Sequence, residues 1–145
     1  MFRIPNILVI GSAGRNSGKT EFACELIRKY RSLERVIGVK ITTIDEDRPC
    51  PRGGDSCGVC EFFTGKYSIT EERDGPSACI ICESNSSRQV LEPGFFIVMK
   101  EKNSRVIKKT CSDVLKYADK VVTFHGSGWD MSPEDVTFAK GKWSF

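Results

Sequence analysis

With 145 residues, 39% of them hydrophobic and 28% charged, the chain is expected to fold as a single globular domain over 1–145, not as a fibrous or disordered polymer. Its net charge of +3, from 22 Lys and Arg against 19 Asp and Glu, is compatible with an anionic small ligand and too mild to call for a nucleic-acid partner. No apolar run approaches the roughly 20 residues of a membrane helix, and Met1-Phe2-Arg3-Ile4-Pro5 lacks a signal-peptide core, so a cytoplasmic protein without a membrane partner is expected.

Ile7-Leu8-Val9-Ile10 is a continuous apolar run ended by Gly11, as in a strand buried on both faces. From Gly18 to Arg31 the period becomes helical. Ala23, Leu26, Ile27 and Tyr30 fall on one stripe, with Glu21, Glu25, Arg28 and Lys29 off it. Val36 to Ile41 reads as a second strand, completing a strand–helix–strand unit. Residues 42–77 break the pattern. They carry Asp45, Glu46 and Asp47, a cysteine-rich loop at 42–66, a short candidate strand Tyr67-Ser68-Ile69-Thr70, and the turn signal Asp74-Gly75-Pro76. Ala78 to Cys82 is again wholly apolar and is closed by Glu83; Gly94 to Met99 and Lys120 to Phe124 read as further strands. Ser112 is placed to cap a helix through Ala118, with Val114, Leu115 and Ala118 facing inward. Lys140-Gly141 marks the turn of a small hairpin between Val136 and Trp143. The expected fold class is α/β, a mostly parallel sheet flanked by helices.

The strongest chemical signal is Gly11-Ser12-Ala13-Gly14-Arg15-Asn16-Ser17-Gly18-Lys19-Thr20, between the first strand and the helix. It matches the phosphate-loop pattern G-x-x-x-x-G-K-[ST], with Ala13 at the first glycine position and Gly14 one place later. Gly14, Arg15, Asn16, Ser17, Gly18, Lys19 and Thr20 would cradle phosphate. In that role Gly18 admits close backbone approach, Lys19 supplies a cation for the β and γ phosphates, Thr20 offers a hydroxyl to Mg²⁺, and the helix presents its N–H groups. Phosphoryl chemistry also needs an acid at the end of a neighbouring strand. Glu83 fits that position, as a Mg²⁺ or water-orienting residue. Asp45 and Asp47, past the second strand, are its rivals.

The loop from Gly14 to Thr20, the stretch Val39-Lys40-Ile41-Thr42-Thr43, and Cys82-Glu83-Ser84-Asn85-Ser86 followed by Pro93-Gly94-Phe95-Phe96 together resemble the molybdopterin-guanine dinucleotide biosynthesis protein B family of P-loop NTPases. The resemblance implies Mg²⁺-dependent binding and hydrolysis of a nucleoside triphosphate, GTP ahead of ATP. It also implies a place in molybdenum or other cofactor assembly, with a cofactor-biosynthesis protein as partner. Against that family the chain is shortened near residue 75, where roughly thirty residues of a normal strand–helix crossover are missing. It also carries no N-K-x-D base-reading motif.

Seven cysteines in a cytoplasmic chain do not make a disulfide framework. Cys24 sits in a helix pattern and Cys111 next to a short helix, while Cys79 and Cys82 sit in a strand pattern and read as buried small hydrophobes. Cys50, Cys57 and Cys60 form a loop with a C-x-x-C knuckle and glycine hinges, candidate ligands for Zn²⁺ or an iron–sulfur cluster. No fourth ligand is evident: His125, the only histidine, lies far along the chain and reads as the end of a strand. Water, a remote side chain or the second subunit of a homodimer would have to complete the set. Three readings therefore stand side by side. The first is an NTPase in which Lys19 and Glu83 are catalytic. The second is a small-molecule kinase on the same fold, with Arg15, Arg52 and Arg88 as candidate mobile arginines. The third is a nucleotide-binding metal sensor or scaffold built around the cysteine loop.

Overall fold

The computed structural model describes residues 1–14, 17–41, 78–103, 107 and 109–145. Five strands form one sheet: β1 (Phe2–Ser12), β2 (Val36–Lys40), β3 (Cys79–Glu83), β4 (Leu91–Glu101) and β5 (Lys120–Phe124). Their order across the sheet is β2-β3-β1-β4-β5, and every neighbouring pair is parallel. Helix α1 (Lys19–Tyr30) follows β1, and helix α2 (Lys109–Leu115) precedes β5. Two short strands, β6 (Thr137–Ala139) and β7 (Lys142–Ser144), pair as an antiparallel hairpin. The arrangement is α/β.

The continuous apolar runs are explained by the two layers they feed. Leu8 and Ile10 of β1, Cys79 and Ile81 of β3, and Ile97 and Met99 of β4 join Phe22, Ala23, Leu26, Ile27 and Tyr30 of α1 in one core layer. The alternate residues Ile7, Val9, Ile80, Cys82, Phe96 and Val98 join Cys111 and Val114 of α2 in the other. A strand covered on both faces cannot alternate apolar with polar residues, because either face exposed to the core would bury a polar group. Each fully buried Ile or Leu contributes about 1.5–3 kcal/mol. The hairpin closes the α1 layer, with Phe138 and Trp143 packed into it. Its turn places Lys140 at φ 51° and Gly141 at φ 72°, the two left-handed central positions that suit the twist of a two-residue hairpin.

Three elements differ from the sequence reading. β1 and β4 begin earlier than Ile7 and Gly94, at Phe2 and Leu91. Phe2 is largely exposed, so no apolar signal marks the extension. The register between β1 and β4 shifts between Ile4 and Leu8. There Gly94 lies so close to Pro5 that a Cβ would fall 1.9 Å from the Pro5 carbonyl oxygen. The helix before β5 starts at Lys109, so Ser112 lies inside it and does not cap it. Its hydroxyl donates to the Lys109 carbonyl at 2.9 Å, the back-bond a serine makes within a helix. Val114 is buried, and Leu115 and Ala118 pack beside it half-buried. The candidate strand Tyr67–Thr70 and the shortening near residue 75 lie outside the described residues. Among the described residues, no helix is long and apolar enough to cross a membrane.

Candidate functional site

β1 ends at Ser12 in the middle of the sheet, with β3 on one side and β4 on the other. Ligands of open α/β sheets bind beyond such strand C-termini, where successive connections leave toward opposite sides. Here the connection from β1 runs toward β2, while that from β3 crosses β1 to reach β4. The chain leaving β1 enters α1 at Lys19, with Gly18 as the residue before the helix. Gly18 is left-handed (φ 70°, ψ 15°) and makes no side-chain cap bond. A Cβ there would lie 2.7 Å from Trp129 Nε1 and 2.8 Å from Phe124 Cδ2, so both the backbone and the aromatic wall from the end of β5 require glycine.

Glu83 ends β3 and is only 4% exposed. Parallel pairing sets it level with Ile10 of β1 and Lys40 of β2, and strand alternation turns it to the α1 face. The first turn of α1 meets it there. The Thr20 hydroxyl lies 3.1 Å from each carboxylate oxygen and donates to the carboxylate. Lys19 Nζ lies 3.5 Å and Lys40 Nζ 3.6 Å from Oε1. Two ammonium groups thus face one carboxylate at a helix N-terminus, whose dipole favours an anion.

The loop itself is fastened from within. Ser12 and Ser17 are buried, at 2% and 3% exposure. The Ser17 hydroxyl donates to Ser12 Oγ at 3.0 Å, and the Ser12 hydroxyl donates to the Gly14 carbonyl. Ser17 therefore turns its side chain inward and can offer a ligand only its backbone. The Ser12 N–H donates to Asn85 Oδ1 at 2.7 Å, and Asn85 Nδ2 donates to the Ser12 carbonyl at 3.1 Å. The Ala13 N–H donates to the Met99 carbonyl of β4 at 2.8 Å.

Lys19, Thr20 and Glu83 are thus brought together, with Ser17 and Gly18 at the entry to the same helix. Arg15, Asn16, Asp45, Asp47, Cys50, Arg52, Cys57 and Cys60 lie outside the described residues. Arg88 is held elsewhere: its Nη1 donates to the Leu91 carbonyl at 3.3 Å, and its guanidinium stacks 4.6 Å from the Tyr117 ring centroid. His125 is exposed, just past β5. Cys79 and Cys82 belong to opposite core layers, so they do not share a ligand. Burial pushes the Cys79 thiol up to about 12, with the nearby charge of Glu34 adding to it. Burial also pushes the Cys82 thiol up to about 11, with the Ser87 hydroxyl opposing the shift.

Sequence reasoning gave no role to Lys40, Ser12, Asn85 or Trp129. Ser12 falls within the glycine-rich stretch and Lys40 and Asn85 within the stretches that carry the resemblance, but their partners at Glu83 and across the sheet lie far along the chain. Trp129 left no signal. The donor set of Thr20 hydroxyl and Glu83 carboxylate is made of hard oxygens, which suits Mg²⁺. That ion commonly takes one or two protein oxygens and completes its shell with water and substrate phosphates. Among the described residues, no group of three or more His, Cys, Asp or Glu side chains is arranged to hold a metal by itself. Comparison of the chain with protein-family models, with curated proteins and with solved structures finds no match in any of the three.

Proposed function

We propose that the protein is a P-loop nucleotide-binding protein that binds a nucleoside triphosphate with Mg²⁺ and hydrolyses it. The observation that carries this reading is the meeting of Lys19, Thr20, Lys40 and a buried Glu83 at the N-terminus of α1, directly after a glycine held left-handed. Glu83 is the counter-ion of both lysines. An arriving triphosphate competes for Lys19, whose flexible stem lets the ammonium swing to the β and γ phosphates. The N–H groups of the first helical turn bind the same anion. Thr20 and Glu83 would hold Mg²⁺, which when bound neutralises charge on the phosphate oxygens. Glu83 would also orient the attacking water, and its ion pair with Lys40 holds the carboxylate in place.

The resemblance of the loop and of the strand ending at Glu83 favours GTP over ATP and a role in cofactor assembly beside a biosynthetic partner. Turnover is expected without an added acceptor, which separates an NTPase from a kinase. The Cys50, Cys57 and Cys60 loop is proposed to hold Zn²⁺ or an iron–sulfur cluster, which elemental analysis of chelator-free protein tests. The decisive experiment for the nucleotide is calorimetric titration with Mg²⁺–GTP and Mg²⁺–ATP. Lys19→Ala should weaken binding by about 2–3 kcal/mol, the scale of a lost charge-assisted contact. Equal affinity in the variant and the unaltered protein would refute the assignment.

A further inference from the structure

We propose that Asn85 is a positioning residue, whose side-chain amide clamps Ser12 and thereby sets where Ser12, Gly14 and Ser17 stand relative to Glu83. The proposal rests on the triphosphate-binding reading above. The paired backbones of β1 and β3 reach Ile10 and Glu83, and the Ser84 N–H still donates to the Ile10 carbonyl at 3.0 Å. Beyond that point the two chains diverge. Asn85 continues the ladder with its side chain, accepting from the Ser12 N–H at 2.7 Å and donating to the Ser12 carbonyl at 3.1 Å. One amide thus takes the place of one peptide unit, using both an acceptor and a donor. Aspartate can supply only the acceptor, and alanine neither.

Two further observations give this clamp its consequence for the site. Ser12 is also the residue that closes the loop, donating to the Gly14 carbonyl and accepting from the Ser17 hydroxyl. Fixing Ser12 therefore fixes Gly14 and Ser17, the latter directly before Gly18 and Lys19. Asn85 stands two residues after Glu83, and the segment between is itself held, since Ser84 Oγ accepts from the Ser87 N–H at 3.1 Å. The loop and the carboxylate are consequently tied to one short piece of chain. Gly11 makes room for this: a Cβ there would lie 3.0 Å from Asn85 Oδ1 and 3.3 Å from the Phe96 ring. Positioning of this kind matters because small displacements of aligned groups weaken both binding and turnover.

The test measures Mg²⁺–GTP and Mg²⁺–ATP affinity by calorimetry, together with melting temperature, for the unaltered protein, Asn85→Ala and Asn85→Asp, each with and without Lys19→Ala. Asn85→Ala should bind the triphosphate roughly tenfold more weakly, the scale of two lost hydrogen bonds. Asn85→Asp should also bind more weakly. The loss should shrink in the Lys19→Ala background, because the loop then has less to position. Folded Asn85 variants that melt earlier but bind like the unaltered protein, or lose the same factor in both backgrounds, overturn the clamp. Should Asn85→Ala fail to fold, Asn85→Asp decides by the same criteria. Failure of the unaltered protein to bind either nucleotide overturns the proposed function, and the clamp with it; binding there with unchanged Asn85 variants overturns the clamp alone.

Discussion

Glu83 is a carboxyl group withdrawn almost wholly from water, and each of its neighbours offers it a partner. A buried carboxylate is costly unless it is paired and hydrogen-bonded. Lys19, Lys40 and the Thr20 hydroxyl meet both needs. Glu83→Gln keeps the volume and an oxygen that can accept from Thr20, but removes the charge facing the two lysines. On the proposed function, that charge acts as the transition state develops, so the variant should turn over nucleotide roughly 100-fold more slowly, in the range of lost acid–base assistance. Its triphosphate affinity should change by less than roughly tenfold, because Lys19 and the helix N-terminus stay in place. Steady-state turnover beside calorimetry gives both numbers, and an unchanged rate would remove Glu83 from the chemistry.

At the scale of elements, α1 does two jobs from its two ends. Its first turn faces Glu83, while its last turn holds the β6–β7 hairpin. The Tyr30 hydroxyl donates to the Val136 carbonyl at 3.1 Å and accepts from the Phe138 N–H at 2.9 Å. The Tyr30 ring meets Trp143 edge-on at 5.4 Å, and Trp143 Nε1 donates to the Asn6 carbonyl of β1 at 2.9 Å. Lys29 adds a bond to the Val136 carbonyl at 3.1 Å. Tyr30→Phe preserves the ring contacts and removes the hydroxyl. The Val136 carbonyl keeps Lys29, but the buried Phe138 N–H loses its acceptor, which should cost about 1–3 kcal/mol in denaturant unfolding. The first turn of α1 lies about three turns away, so nucleotide affinity of the folded variant should be unchanged.

At the scale of the whole molecule, the two-layer core couples stability to alkaline pH. The Cys79 thiol has an ordinary value of 9.0 and is pushed up to about 12, chiefly by burial. Above pH 9.0 the unfolded chain gives up this proton while the folded protein keeps it. The unfolded state then binds fewer protons, so stability falls as pH rises. The contribution is fully present below the unfolded value and is lost as pH climbs toward the folded one. Urea unfolding from about pH 8 to about pH 11 should show this decline, and Cys79→Ala should make it shallower. An identical slope in the two proteins would mean that Cys79 does not supply it.

The run Ile7 to Ile10, the glycine-rich stretch after it and the helical stripe from Ala23 to Tyr30 were legible because each is written in consecutive residues. Local periodicity reports local structure. Glu83 was legible as an acid closing an apolar run, and Lys140-Gly141 as a turn, for the same reason. The early start of β1 was not, because Phe2 and Arg3 are exposed and carry no burial pattern. The start of α2 was misread because Ser112 suits an N-cap by residue type, whereas here its hydroxyl bonds back along the helix. Which strand lies beside which was decided only by the tertiary structure. The parallel neighbours β1 and β3 are joined through a long stretch of chain, and no sequence period marks that pairing. From the β2–β3 pairing follows Lys40 level with Glu83, and from the β1–β3 pairing Asn85 against Ser12, 73 positions apart. Sequence determines which segments must be buried and where the chain must turn. The packing of two layers onto one sheet determines which distant side chains share a site, because only there do the strand ends come within hydrogen-bond reach.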